Sequence, residues 1–318
     1  MENEVHVNGQ PVPWERATIE KLLFAELRER RAARRWRTLR TVLWLGLIGA
    51  LAWLLWSDHL PSATPSGAHT AMVSIKGEIS DTGEGSAEYI LPALRSAMED
   101  KGAQALVLLI NSPGGSPVQA GLIHDEVRRL RALHDKPVYA VVEESCASAA
   151  YYIAAAADRI YVDKASLVGS IGVLIDGFGA VGALEKLGVE RRLLTAGENK
   201  GFLDPFSPQS EAHRAHAQRM LDQIHQQFID VVRQGRGERL KETPDMFSGL
   251  FWTGEQAVQL GLADQLGSLD MVAREVVKAE KLVDYTNKQN FAERFAKRLG
   301  AQVGEGALAA LRGAPGWR

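Results

Sequence analysis

The sequence predicts an α/β domain with a largely parallel sheet, carried behind a single apolar helix. Three observations predict it. From Thr70 onward, runs of strand character alternate with helical stretches. One of those runs, AQALVLLI, is continuously apolar, the mark of a strand buried on both faces. An uncharged run, TVLWLGLIGALAWLLW at residues 41–56, stands apart from the rest.

That apolar run comes first in the chain. Its sixteen residues would rise roughly 24 Å as a helix, a little short of a hydrocarbon core of roughly 30 Å. Leu39, the stem of Arg40 and Ser57 extend it, and Trp44, Trp53 and Trp56 suit an interface. Seven arginines (Arg28, Arg30, Arg31, Arg34, Arg35, Arg37 and Arg40) precede it, and Asp58 with a neutral PSATPSG segment follows. Arginines stay on the cytoplasmic side, so the expectation is an uncleaved signal anchor with the N-terminus inside. The expected division is a basic cytoplasmic segment (1–38), an anchor (39–57), a linker (58–69), a globular domain (70–280) and an amphipathic tail (281–318). In that tail Phe291, Phe295 and Leu299 recur at helical spacing.

Within the domain the elements follow in order. AMVSIKGEI is a strand around Gly77, and AEYILPALRSAMED is a helix. AQALVLLI ends in NSPGGSP, a strong turn signal. VQAGLIHDEVRRLRALHD reads as an amphipathic helix, and KPVYAVVEE as the next buried strand. SCASAAYYIAAAAD is small, alanine-rich and helical, and RIYVD is a short strand. A helix spans about Gln209 to Gly235. In the unit after it, Thr253 suits an N-cap, and Gly261 and Gly267 suit helix stops.

Composition excludes several classes. Of 318 residues 46% are hydrophobic, enough for a real core, and the net charge of −2 gives no general reason to bind nucleic acid. The single cysteine, Cys146, allows neither an intrachain disulfide nor a cysteine-rich zinc site.

Two segments carry chemistry. In NSPGGSP, Gly114 and Gly115 can turn backbone N–H groups outward at a helix start, a seat for a developing oxyanion or simply a tight turn. In ESCASAAYY, Ser148 opens a helix of small residues and could be a nucleophile, a packing residue or, like Ser145, an N-cap. A nucleophilic serine needs a base. None of the eight histidines sits in a glycine-rich turn or beside an expected strand end. A lysine can serve if it is neutral, and Lys200, in the loop TAGENKGFLDPFSP, is the best placed.

The run from LVLLINSPGGSP through VYAVVEESCASAAYYIAAAADRIYVDKASLVGSIGV, with GENKGFLDPFSP and FWTGEQAVQLGLADQLGSLD, resembles the signal peptide peptidase A family of serine peptidases, the S49 type. The resemblance covers roughly residues 70 to 280. It implies a ClpP/crotonase-like fold of repeated ββα units that assembles into a homo-oligomeric ring. It implies Ser148 as nucleophile, Lys200 as general base and Ser170 as a serine that hydrogen-bonds the lysine. Gly114 and Ala149 would supply oxyanion N–H groups, with Gly115 in the same turn. Where the family often has two glycines after the nucleophile, this chain has Ala149 and Ala150. The implied substrates are remnant signal peptides. The implied place is a bacterial cytoplasmic membrane with the domain on its outer side. No metal or organic cofactor is implied, and activity should rise as the lysine deprotonates. The resemblance also suggests a meeting of Ser148 and Lys200 across a subunit boundary, with pairing within one chain as the alternative. The rival readings are a crotonase-type acyl-CoA enzyme and a degenerate membrane scaffold.

Overall fold

A computed structural model of the chain describes residues 6–7, 10–11, 34–50, 53 and 67–286. It divides into two compact units, one holding the N-terminal segment and the other spanning Thr64–Gln289.

In the N-terminal unit the strands β1 (His6–Val7) and β2 (Gln10–Pro11) pair antiparallel. Residues 34–50 form a helix, α1, along which Val42, Leu43, Trp44, Leu45, Leu47 and Ile48 are all exposed. Among the described residues no helix is long and apolar enough to cross a membrane. The expected anchor lies partly outside the described residues. The basic segment before residue 34 is described only at two short strands, and the tail from residue 287 lies outside entirely.

The second unit is a mixed α/β fold around an eight-stranded sheet. Its main path runs β10 (Leu282–Asp284), β3 (His69–Lys76), β4 (Ala103–Ser112), β5 (Val138–Ala147), β6 (Arg159–Val162) and β9 (Gln265–Leu266), every pair parallel. β7 (Leu167–Gly169) pairs parallel with the end of β5, and β8 (Phe251–Thr253) pairs antiparallel with β7. The expected largely parallel sheet is therefore present. β4 shows why its sequence is continuously apolar. Leu106, Leu108 and Ile110 enter the main core beneath the helices, while Val107 and Leu109 face a second, smaller core with Val141, Tyr161 and Val272.

The main core is covered by α2 (Ala87–Glu99), α3 (Pro117–His134), α4 (Ala149–Ala154) and α6 (Glu211–Arg236), with the short α5 (Val181–Lys186) between α4 and α6 in the chain. Ser116 caps α3 and Ser210 caps α6 through their side-chain oxygens. Thr253 opens α7 (Gly254–Gln259) with a complete capping box closed by Gln256. Arg236 is fully buried at the end of α6, donating to Gly261 O and to the Asp264 carboxylate, so this charge is paired.

Several expectations need correction. SCASAAYYIAAAAD is not one helix. Ser145 to Ala147 extend β5, because β7 offers them a parallel partner. AMVSIKGEI stops as a strand at Lys76, where Gly77 turns with φ 74°, and Ile79 forms a lone bridge to Gly115. Gly261 does lie just past the end of α7, at φ 75°. Gly267 stops no helix. It follows β9 and precedes α8 (Leu269–Met271), and a β-carbon there would lie 3.3 Å from the Tyr161 ring. At the edges of the 70–280 span, His69 already belongs to β3, and β10 adds residues 282–284 to the sheet.

Candidate active site

The site is built where β4 and β5 end. Their pairing jumps from Ile110–Val142 to Ser112–Cys146, a bulge that lets β5 bend away from β6 and take β7 as its partner. Ser148 follows directly. Its backbone has φ 52° and ψ −123°, an unusual conformation for a residue with a β-carbon. Its N–H donates to Gly169 O at 2.8 Å, and its carbonyl accepts from the Tyr152 N–H at 3.0 Å. Ser148 thus occupies the N-cap position of α4, yet its side chain makes no capping bond. Of the two serines read as possible caps, Ser145 is inside β5 and Ser148 leaves its hydroxyl uncommitted to the helix.

The glycine turn lies against it. Gly114 has φ 109°, and a β-carbon there would sit 2.7 Å from the Ser148 β-carbon. Only a glycine allows that approach. The Gly114 N–H donates to Ser112 Oγ at 3.2 Å in a buried setting. That bond competes with the donor role expected of Gly114. Gly115 is different. Ile79 N–H donates to Gly114 O at 2.9 Å and Ser116 N–H to Ile79 O at 2.7 Å. In such a parallel bridge the residue between those two bonds directs its own N–H the other way. Gly115, Ser148 and Ala149 line one cleft of about 50 Å³. Ala149 is the first residue of α4, whose N–H has no acceptor within the helix. Neither Ala149 nor Ala150 has positive φ, and both methyls are buried in the main core. The unusual backbone is carried by Ser148 itself, so alanine is tolerated after it.

Other candidates fall into place around this cleft. Ser170 follows β7 as Ser148 follows β5, and it too has positive φ, 49°, with its N–H donating to Leu250 O. The register Ala147–Gly169 sets the two serines at neighbouring strand ends. Cys146 is fully buried and burial pushes its thiol well up, so it is no rival nucleophile. No histidine lines the cleft among the described residues. His225 instead holds the adjacent wall, its Nε2 3.1 Å from Ile171 O.

Lys200 is exposed and does not line the cleft that holds Ser148. Its loop is nevertheless braced. Lys200 N–H donates to Gly197 O, Asn199 Oδ1 lies 3.0 Å from His213 Nε2, and the Phe202 ring meets His213 and His216 edge-on. Two histidines with no role in the sequence reading therefore pin the lysine loop to α6. Helical spacing of His213 and His216 was the available signal.

Among the described residues no group of histidine, cysteine and acidic side chains could hold a metal. The sequence model of peptidase family S49 matches residues 131–284, which take in Ser148, Ser170 and Lys200. A provisionally named protease of Synechocystis sp. is 30% identical over 209 residues, 65% of this chain and 73% of that one. The chain belongs to peptidase family S49. A provisionally named signal peptide peptidase SppA of Enterococcus faecium agrees with the S49 assignment, at 32% identity over 67% of this chain and 64% of that protein. The Na(+)/H(+) antiporter NhaA of Brucella melitensis is 48% identical over 176 residues, 55% of this chain. The chain spans about a quarter of that antiporter's length and just under two thirds of the Enterococcus protein.

Proposed function

We propose that this chain is a membrane-anchored serine endopeptidase acting on remnant signal peptides, with Ser148 as nucleophile and Lys200 as general base. The observation that carries the reading is Ser148 itself: a serine at an N-cap that does not cap, held in a costly backbone conformation against Gly114. A serine with only a packing or capping role gains nothing from that geometry. Neutral Lys200 takes the Ser148 hydroxyl proton as Oγ attacks a peptide carbonyl. The N–H groups of Gly115 and Ala149 stabilise the oxyanion. The lysine then protonates the leaving amine, and water hydrolyses the acyl-enzyme.

Lys200 reaches Ser148 from a neighbouring copy. Its exposure and its braced loop support this, as do the bare apolar side chains of the same region, Phe178 at 91% and Leu194 at 97% exposure. Apolar surface of that kind calls for a partner. A ring of copies, built on ClpP/crotonase-like ββα units, supplies one. The exposed apolar helix α1, continued by the uncharged sequence to Trp56, supports the anchor. The domain then stands outside the cytoplasmic membrane, where spent signal peptides lie. An acyl-CoA enzyme on the same turn would have no use for the strained Ser148.

Mixing two inactive variants tests the shared site. Ser148→Ala and Lys200→Ala are each inert towards peptides, and co-assembly of the two restores cleavage. Failure of the mixture to recover any activity, with both variants assembled, rules out a dyad shared between copies.

A further inference from the structure

Resting on the peptidase reading, we propose that Tyr152 and Phe228 limit the side chain seated beside Ser148, admitting small apolar residues of alanine to valine size. These two rings are the aromatic side chains lining the cleft that Gly115, Ser148 and Ala149 share. Tyr152 comes from α4, one turn after the nucleophile, and Phe228 from the middle of α6. Their centroids are 5.3 Å apart at a 47° tilt, and His124 of α3 stacks edge-on to Tyr152 at 5.2 Å. The block is thus a three-ring stack drawn from three helices. Phe228 is only 4% exposed and His124 only 7%, so neither ring can swing aside without opening the core.

Size follows from volume. The cleft offers about 50 Å³. An apolar cavity that accepts a benzene ring measures about 150 Å³. A methyl or isopropyl group fits the smaller space, whereas a phenyl ring does not. Character follows from the walls, where Ala120, Val173 and Ile224 add hydrocarbon and Gln227 adds an uncharged amide. Burial pushes the Tyr152 hydroxyl up and the His124 imidazole down, so both stay uncharged. An ionised side chain finds no counter-charge there.

The test uses the full chain in detergent and peptides differing only in the residue before the scissile bond: alanine, valine, leucine or phenylalanine. The alanine and valine peptides should show kcat/KM at least about tenfold above the phenylalanine peptide. Phe228→Ala should raise the phenylalanine peptide relative to the alanine peptide by about tenfold or more. The milder Phe228→Leu, which keeps the core filled, should shift the ratio in the same direction, and fluorophosphonate titration counts intact sites in each variant. Kd values of the same peptides on Ser148→Ala should follow the same order, which makes the pocket measurable without turnover. The proposal is overturned if the unaltered cleft binds or cleaves the phenylalanine peptide as well as the alanine one. It is equally overturned if both Phe228 variants change every peptide by one common factor, or if none of the peptides binds. Size-ordered binding with no turnover by the unaltered chain would sink the peptidase reading and keep the pocket.

Discussion

At the scale of single residues the account turns on two positions that touch. Ser148 holds a positive φ that side-chain-bearing residues rarely adopt, and Gly114 holds one that leaves no room for a β-carbon. Each fixes the other, since the close approach of the Gly114 backbone maintains the pose of the serine. Gly114→Ala should therefore cut kcat/KM by about 100-fold or more through displacement of Ser148 and its oxyanion donors. It should also destabilise the fold by roughly 1–3 kcal/mol through strain. Steady-state kinetics alongside thermal unfolding checks both; an alanine variant with unchanged kcat/KM would remove the reason given for this glycine. The sequence made the serine and the glycine turn visible as separate small-residue motifs. It could not show that the Gly114 N–H donates to Ser112, because that bond depends on the bulge in β5.

At the scale of elements, local pattern placed the starts of several helices and strands. α2, α3, β4 and β6 start where the sequence places them, within about a residue. What it missed was short and context-made. β7, β8, β9 and β10 hold two or three residues each and exist because a neighbouring strand offers hydrogen bonds. The same cause explains why Ser145 to Ala147 are strand, although their small side chains read as the start of a helix. One element-scale contact has a measurable consequence. Glu126 of α3 is nearly buried and accepts from Arg129 on its own helix and from Arg95 of α2. The Arg129 and Arg95 guanidiniums pull its carboxyl down to about 2. A depressed carboxyl stabilises the fold above the ordinary carboxylate range, and that contribution is lost as pH falls toward about 2. Both arginines are about half exposed, so the contribution is roughly 2 kcal/mol rather than the full linkage value. Glu126→Gln should lower stability by that amount at neutral pH and flatten the acid limb of a denaturation series between pH 5 and pH 2. An unchanged acid limb would show that the clamp between α2 and α3 contributes nothing.

At the scale of the whole molecule, the parallel sheet sets the chemistry at one place because parallel strands end together. β4, β5 and β7 deliver the glycine turn, Ser148 and Ser170 to neighbouring strand ends. This gathering was only partly legible. Strand alternation foretold a parallel sheet, but β7 is too short to read, so the nearness of Ser170 to Ser148 was not legible; the resemblance gave Ser170 only as a partner of the lysine. Lys200 shows the same limit from the other side. Its loop is held by His213 and His216, yet Lys200 is exposed and is not among the residues that line the cleft. Under the proposed dyad, the lysine of a second copy would complete the cleft. The measurement that tests Ser148 most directly is intact-mass and peptide-mapping analysis of the full chain after reaction with a fluorophosphonate. The account predicts a single adduct on Ser148, absent from Ser148→Ala, with peptide cleavage lost in step with labelling. An adduct on another residue, or full cleavage by Ser148→Ala, would contradict it.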